Sequence, residues 1–314
     1  MVVLVTGSGS GIGRAVSEVL ARAGHSVYAS LRSLRDDNEP VAELQELARR
    51  ESLDLRVTEL DVLSEPSCRA CVDQILFERG RLDVVVNNAG MLMTGVTEAF
   101  SPDQFIEVLN TNAVSWLRVN RAVLPVMRRQ REGVIVYVSS TTARISEPFL
   151  GPYAASKAAG EVVAEVMGLE VSGFGVESVI VSPGALTSGT NHFAHAVYPA
   201  DEAVAVQYSG LGERAKFVGG RIAAMDDDNG GAISVSSVGE AIRDVLATQR
   251  GQRPARVVVD SQQKGVEELN DLHRQKQRAF FRRLDIEDLM TITTDAHDET
   301  NPSMRSGSYC SLSD

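Results

Sequence analysis

Short apolar runs alternate along the chain with longer segments in which apolar positions recur at helical spacing. The runs occupy residues 2–6, 26–30, 53–60, 82–87, 134–139, 176–182 and 256–260. They are nearly continuous in apolar residues, as expected of strands covered on both faces. Helical patterns fill 11–23, 40–51, 65–79, 101–131, 152–171 and 238–248. Pro40 suits a first helical turn, and Ser64 and Ser101 can accept hydrogen bonds from free amides at helix starts. Strand–helix–strand repetition predicts right-handed crossovers and a parallel sheet. The expected fold is α/β: one Rossmann-type domain with a doubly wound, seven-stranded parallel sheet and helices on both faces.

Two stretches break this rhythm. Residues 187–231 separate the sixth strand from the next helix and carry His192, Phe193, His195, Tyr198 and Tyr208. An insertion at the carboxyl ends of the strands is where a doubly wound sheet builds its ligand crevice. Its length and its glycines predict a mobile lid. The second stretch follows Ser261. The expected organisation is a catalytic domain over 1–261 containing the 187–231 insertion, a helical extension over 262–290, and a disordered polar tail over 291–314.

Composition narrows the function classes. Apolar residues make up 43% and charged residues 23%, ordinary globular usage. A net charge of −11 disfavours a nucleic-acid partner. The basic cluster at 274–283 is followed at once by acids and reads as a solvated helix face. Three cysteines suggest no disulfide framework and fit a reduced, cytoplasmic setting. Cys68 and Cys71 form C-x-x-C inside a helical run, where two ordinary helical residues are expected rather than a redox pair. The first residues lead directly into a strand and a Gly-rich turn, so no secretory leader is expected. No apolar run approaches bilayer-spanning length, and no membrane association is expected.

The first strand ends in Thr6-Gly7-Ser8-Gly9-Ser10-Gly11-Ile12-Gly13, where a helix opens. Glycines there let the backbone turn tightly and approach a pyrophosphate at the positive end of the helix. Downstream, Tyr153 and Lys157 are four residues apart in a helical pattern, which puts both on one face. A cation beside a phenol favours the phenolate and lowers its pKa from about 10. That is what a general acid/base for a carbonyl oxygen requires.

Five motifs occur in order: the T-G-x-x-x-G-x-G loop, Asn87-Asn88-Ala89-Gly90, Ser139-Ser140, Tyr153-x-x-x-Lys157 and Pro183-Gly184. Over residues 1–260 the chain resembles the short-chain dehydrogenase/reductase family. Through Val27-Tyr28-Ala29-Ser30-Leu31-Arg32 it is similar to the 17β-hydroxysteroid dehydrogenase-like and carbonyl reductase branch. The resemblance implies an NAD(P)-dependent oxidoreductase acting on a carbonyl or alcohol carbon. It also implies a catalytic tetrad of Asn112, Ser140, Tyr153 and Lys157. Ser140 is selected over Ser139 by lying thirteen residues before the tyrosine. The implied roles are a hydrogen bond to the substrate oxygen from Ser140 and proton transfer by Tyr153. Lys157 would hold the nicotinamide ribose and lower the tyrosine pKa, and Asn112 would anchor a water relay.

The resemblance places Thr6, Gly7, Ser10, Gly11, Ile12, Gly13, Arg32, Asp61, Val62, Asn88, Ala89, Gly90, Pro183, Gly184 and Thr187 along the cofactor, with Tyr153 and Lys157. Ser188 is an alternative to Thr187 for the carboxamide contact. Met91, Met93, Phe149, His192 and Phe193 are candidate pocket residues, which suggests a hydrophobic small molecule. No metal is expected, although His192 and His195 form H-x-x-H. Arg32 ends the second strand and no acid precedes Asp36, so NADP(H) is expected over NAD(H), which remains possible. NADPH-dependent ketone reduction is the favoured activity. An NAD-dependent alcohol dehydrogenase and a non-catalytic cofactor-binding regulator are the alternatives, the last opposed by the intact tetrad. A homodimer or homotetramer built on the fourth and fifth helices is expected, with Val114, Leu117, Val162, Val163 and Val166 as apolar candidates.

Overall fold

The computed structural model describes residues 1–35, 39–186, 189, 195–211, 214, 221, 224–225 and 233–294. Seven parallel strands make one sheet: β1 (Val2–Val5), β2 (Ser26–Leu31), β3 (Leu55–Glu59), β4 (Val84–Asn87), β5 (Gly133–Val138), β6 (Val176–Pro183) and β7 (Arg256–Val259). Their order is β3-β2-β1-β4-β5-β6-β7. The order reverses between β1 and β4, so the crevice of this sheet opens beside the ends of those two strands.

The helices are α1 (Gly11–Arg22), α2 (Glu39–Glu51), α3 (Glu65–Arg79), α4 (Pro102–Leu109), α5 (Ser115–Gln130), α6 (Gly151–Val171), α7 (Glu202–Gln207), α8 (Val235–Ala247) and α9 (Val266–Leu284). Strand residues alternate between two apolar layers. Val3, Val5, Val84, Val86, Val134 and Val136 pack with α1, α2 and α8 through Val16, Leu20, Leu44 and Ile242. Val2, Leu4, Val85, Ile135 and Tyr137 pack with α3, α5 and α6 through Ile75, Trp116, Val123 and Ala164. Burial on both faces is the physical reason the strands read as continuous apolar runs.

Sequence and structure part at a few boundaries. The pattern over 101–131 is two α-helices joined by a π turn, Asn110–Val114. The Ser115 amide bonds to Asn110 rather than Thr111, and the Ser115 hydroxyl donates to the Thr111 carbonyl instead. α8 starts at Val235, earlier than the apolar pattern, because Ser234 caps it through the Ser237 amide. Ser64 and Ser101 cap α3 and α4 as expected, the latter in a capping box with Gln104.

Within 187–231, the described part is fastened down. Val197 exchanges backbone hydrogen bonds with Leu92 and Thr94 at 2.9 and 3.1 Å. Gln104 binds the Tyr198 carbonyl at 2.8 Å, and Tyr208 donates to Glu98. Pairing to 92–94 gives the backbone of that part a partner in this structure. The rest of the lid expectation, with Thr187, Ser188, His192 and Phe193, falls outside the described residues, as do Asp36 and 295–314. Among the described residues no helix is long and apolar enough to cross a membrane.

Candidate active site

The glycine loop turns β1 into α1 through left-handed backbone at Gly7 (φ 69°) and Gly11 (φ 56°). A Cβ on Gly13 would lie 2.2 Å from the Gly7 carbonyl oxygen and 2.3 Å from Asn88 Nδ2. Only glycine lets α1 start that close to the loop. The Ser10 side chain does not cap α1, and no acid stands in the first turn. The positive helix end is thus left for an anion from outside the chain. These features fit a dinucleotide, with Gly7, Ser10, Gly11, Ile12 and Gly13 as the cradle.

Thr6 has a different job from the one expected. It is buried, and its Oγ1 accepts from the amides of Asn88 and Ala89 at 2.9 and 3.0 Å. Asn88 Nδ2 returns a bond to the Thr6 carbonyl at 2.9 Å. The pair staples the ends of β1 and β4 together, leaving Gly90 exposed at the crevice. Asp61 shapes its own turn, accepting from the Leu63 amide at 3.0 Å, while Val62 packs on the core. Arg32 is exposed just beyond β2. A Cβ on Gly9 would stand 3.4 Å from Leu31, so the glycine loop lies against the end of that strand. Gly184 is pressed between Asp260 and Gln262, with Pro183 paired to Val259.

The four expected catalytic residues converge at the carboxyl ends of β4 and β5. Ser140 caps a short turn after β5, and its Oγ accepts from Thr142 Oγ1 at 2.9 Å. Ser140 also hydrogen-bonds the Tyr153 phenol. Ser139 is buried and reaches neither. Tyr153 lies in the first turn of α6, and Lys157 one turn on has its ammonium 5.8 Å from the tyrosine ring centroid. Gly160 lets α6 press on Trp116, whose ring also faces Lys157 at 5.4 Å.

Burial dominates the electrostatics of the pair. Burial pushes the Tyr153 phenol up to about 12, with the Ser140 bond pulling down and Glu147 pushing up. Burial pushes Lys157 down to about 8, opposed by Glu161. Desolvation is the larger influence on both groups here. The Lys157 ammonium donates to the Val138 carbonyl at 2.8 Å.

Asn112, in the π turn, is fully buried. Its Oδ1 accepts from the Met91 amide at 2.8 Å, and its Nδ2 donates to the Met91 carbonyl and Ser156 Oγ, both at 2.9 Å. The side chain clamps the loop after β4 to α6. Ser156, inside the Tyr-Lys motif itself, was missed in the sequence because its hydroxyl could equally have bonded its own helix. It does both, donating to the Tyr153 carbonyl at 2.7 Å.

Of the pocket candidates, Met93 is corrected. It is fully buried with Phe100 and Val108 in a small core of its own. Met91 packs partly against that core, and Phe149 is half-buried. Phe149 holds a left-handed backbone (φ 70°), rare for a bulky residue and retained where surroundings enforce it. The Gly95 amide supplies part of that enforcement, donating to the Phe149 carbonyl at 2.8 Å. The cysteine pair behaves as expected of buried helix residues. Burial pushes Cys68 up to about 11 and Cys71 up to about 12, the reverse of a reactive thiol. Among the described residues no cluster of His, Cys, Asp or Glu could hold a metal ion.

Comparison with known proteins agrees with this geometry. Residues 1–197 match the family described as short chain dehydrogenase. A 3-ketodihydrosphingosine reductase of Bacteroides thetaiotaomicron is 34% identical over 188 residues, 60% of this chain and 65% of that enzyme. The matched stretch is thus a little under two thirds of that relative's length. A solved short-chain dehydrogenase from Streptomyces avermitilis superposes with a TM-score of 0.69 at 26% identity, covering 90% of this chain and 95% of that one. The actinorhodin polyketide ketoreductase, solved with NADPH, gives a TM-score of 0.67 at 28% identity over 82% and 94% of the two chains. With its glycine loop, parallel sheet and Ser-Tyr-Lys constellation, the chain belongs to the short-chain dehydrogenase family of NAD(P)-dependent oxidoreductases.

Proposed function

We propose that this protein reduces the ketone of a hydrophobic small molecule with NADPH, and runs the reverse alcohol oxidation when cofactor ratios demand it. The observation that carries the reading is the convergence of Ser140, Tyr153 and Lys157 at one edge of the crevice, across from the glycine cradle. Relatives named for ketone reduction, one of them solved with NADPH, support the direction and the cofactor. Exposed Arg32 beyond β2 supports a 2′-phosphate. Met91 and Phe149 support an apolar substrate.

In this reading the nicotinamide, when bound, supplies or accepts the hydride. The rest is the chain's own work. Ser140 donates a hydrogen bond to the substrate oxygen and orients it. Tyr153 gives its proton to that oxygen as negative charge develops there. A phenol held high by burial arrives protonated at neutral pH, as a proton donor should. Lys157 holds the ribose, and Asn112 keeps the loop at Met91 in register with α6. A homodimer or homotetramer is part of the same reading.

The test is NADPH oxidation against a panel of apolar ketones by wild type and Tyr153→Phe. Losing a positioned acid/base costs about 10² to 10⁴ in turnover. The variant should fall within that range while still binding NADPH by fluorescence titration. Near wild-type turnover by Tyr153→Phe would refute the assignment.

A further inference from the structure

The segment that leaves β7 does not simply lead into α9. Asp260 accepts from the Gln262 and Lys264 amides at 3.1 and 3.0 Å. Gln262 then grips the loop after β6, accepting from the Ala185 amide at 2.8 Å and donating to the Ala185 carbonyl at 3.2 Å. Gln263 holds left-handed backbone (φ 52°), and Gly265 does too (φ 75°). This tight turn aims Lys264 back across the crevice edge. Its ammonium donates to Thr141 Oγ1 at 3.1 Å and to Glu147 Oε1 at 2.7 Å. The lysine and glutamate side chains are only 14% and 25% exposed, so solvent screens this ion pair less than a surface pair.

Thr141 follows Ser140 directly, and Glu147 lies on the loop leading to Tyr153. We propose that Lys264 is a positioning residue for proton transfer at Tyr153. It clamps the loop between Ser140 and Tyr153 and neutralises the carboxylate of Glu147 on that loop. Lys264 lies beyond residues 1–197, the stretch matched by the family, just after β7. The inference rests on the reading of Tyr153 as the proton donor.

The charged groups around the site give the clamp an electrostatic consequence. Tyr153 faces Ser140, Glu147 and the Lys157 ammonium. Lys157 faces Glu161, which is itself paired with Arg144 and Arg256. Glu147 faces Lys264. Glu147 is thus the acid that resists ionisation of the phenol, and Lys264 is the cation that offsets it. Without the lysine, the limb of the pH profile belonging to the phenol should move to higher pH in both reaction directions.

The experiment compares Lys264→Met, Lys264→Arg, Glu147→Gln and the Met/Gln double variant in the full chain. Amide hydrogen exchange over 141–150 should quicken in Lys264→Met and return toward wild type in Lys264→Arg. The alcohol-oxidation profile of Lys264→Met should shift by about half a unit to one unit to higher pH, a loss of about three- to tenfold in rate on the rising limb. Lys264→Met should no longer move the limb when Glu147 is already Gln. Unchanged exchange, or an equal pH shift in the presence of Glu147→Gln, would overturn the proposal. Full turnover by Tyr153→Phe would instead overturn the reading beneath it, and the exchange measurement would still judge the clamp.

Discussion

Lys157 Nζ donates to the backbone carbonyl of Val138 across 2.8 Å, tying the catalytic helix to the strand that delivers Ser140. The cost of that arrangement is a buried cation. Burial pushes the ammonium down to about 8 from 10.5. In the window between those values the folded chain binds fewer protons than the unfolded chain, so stability rises with pH there. Below about pH 8 the full penalty of holding the charge applies. Tyr153, raised from 10.0 to about 12, has the opposite sign, and its contribution is lost as pH climbs from about 10 to 12.

Lys157→Met should therefore stabilise the fold at neutral pH while removing turnover. The lysine shift corresponds to about 3 kcal/mol, offset by about 1 kcal/mol for the lost hydrogen bond. A net gain on the order of 2 kcal/mol is expected near pH 7, shrinking toward pH 10. Urea unfolding across that range measures it. A variant less stable than wild type at pH 7 would contradict the argument.

Gly13 makes a sharper demand on geometry. A Cβ at this position would lie 2.2 Å from the Gly7 carbonyl oxygen, a distance no real Cβ occupies. Gly13→Ala must push α1 away from the loop or displace Asn88, whose amide links β1 to β4. Overpacking of this kind costs about 1–3 kcal/mol. Stability by denaturation should fall by that amount, and NADPH affinity should fall with it because the helix start moves. Gly24→Ala is the control, since nothing stands within 4 Å of its Cβ, although its left-handed backbone (φ 85°) carries some strain. Equal, small effects at both positions would refute the close approach.

The sheet was legible because every interior strand is buried on both sides, as Val84 to Val86 show with full burial at each position. Tyr153 and Lys157 were legible because helical spacing puts both on one face, whereas Ser140 was legible through the motif spacing of the family the chain resembles. What stayed hidden depends on which partner a polar atom chooses. Thr6 could face a ligand or the neighbouring strand, and it faces Asn88 and Ala89. Met93 could line a pocket or fill one, and it packs on Phe100. The π turn is invisible to periodicity, since one shifted hydrogen bond scarcely alters the apolar pattern. Lys264 lies more than a hundred residues from Glu147, and no local rule joins them.

The expected oligomer has a surface to match. Ile106 on α4, Val114 in the π turn, Leu117 on α5 and Val162, Val163 and Val166 on α6 are all exposed in the single chain. Val162 is 62% and Ile106 61% exposed, more than scattered surface apolar residues require. A twofold helix-on-helix contact would cover them. Light scattering at micromolar concentration should give at least a dimer mass. Val162→Glu with Val166→Glu should lower that mass while leaving far-UV circular dichroism unchanged. A monomeric wild type would refute the interface.

The proposed preference for NADPH rests on Arg32. β2 ends at Leu31, against which the glycine loop packs, so the next residue stands where the adenosine ribose would lie. A carboxylate there would accept from a 2′-hydroxyl, whereas a guanidinium meets a 2′-phosphate with two parallel donors. Arg32 is exposed and able to reach outward. Charge-assisted bonds of this kind contribute roughly 1.5 to 3 kcal/mol, or about one to two decades in affinity. Because the charge is exposed, salt should weaken the contact. Arg32→Ala should therefore raise KM for NADPH about 10- to 100-fold and leave KM for NADH nearly constant. The ratio of kcat/KM for the two cofactors, measured at low and high ionic strength, checks both parts. If wild type uses NADH as well as NADPH, or the substitution leaves the ratio unchanged, Arg32 does not read the phosphate.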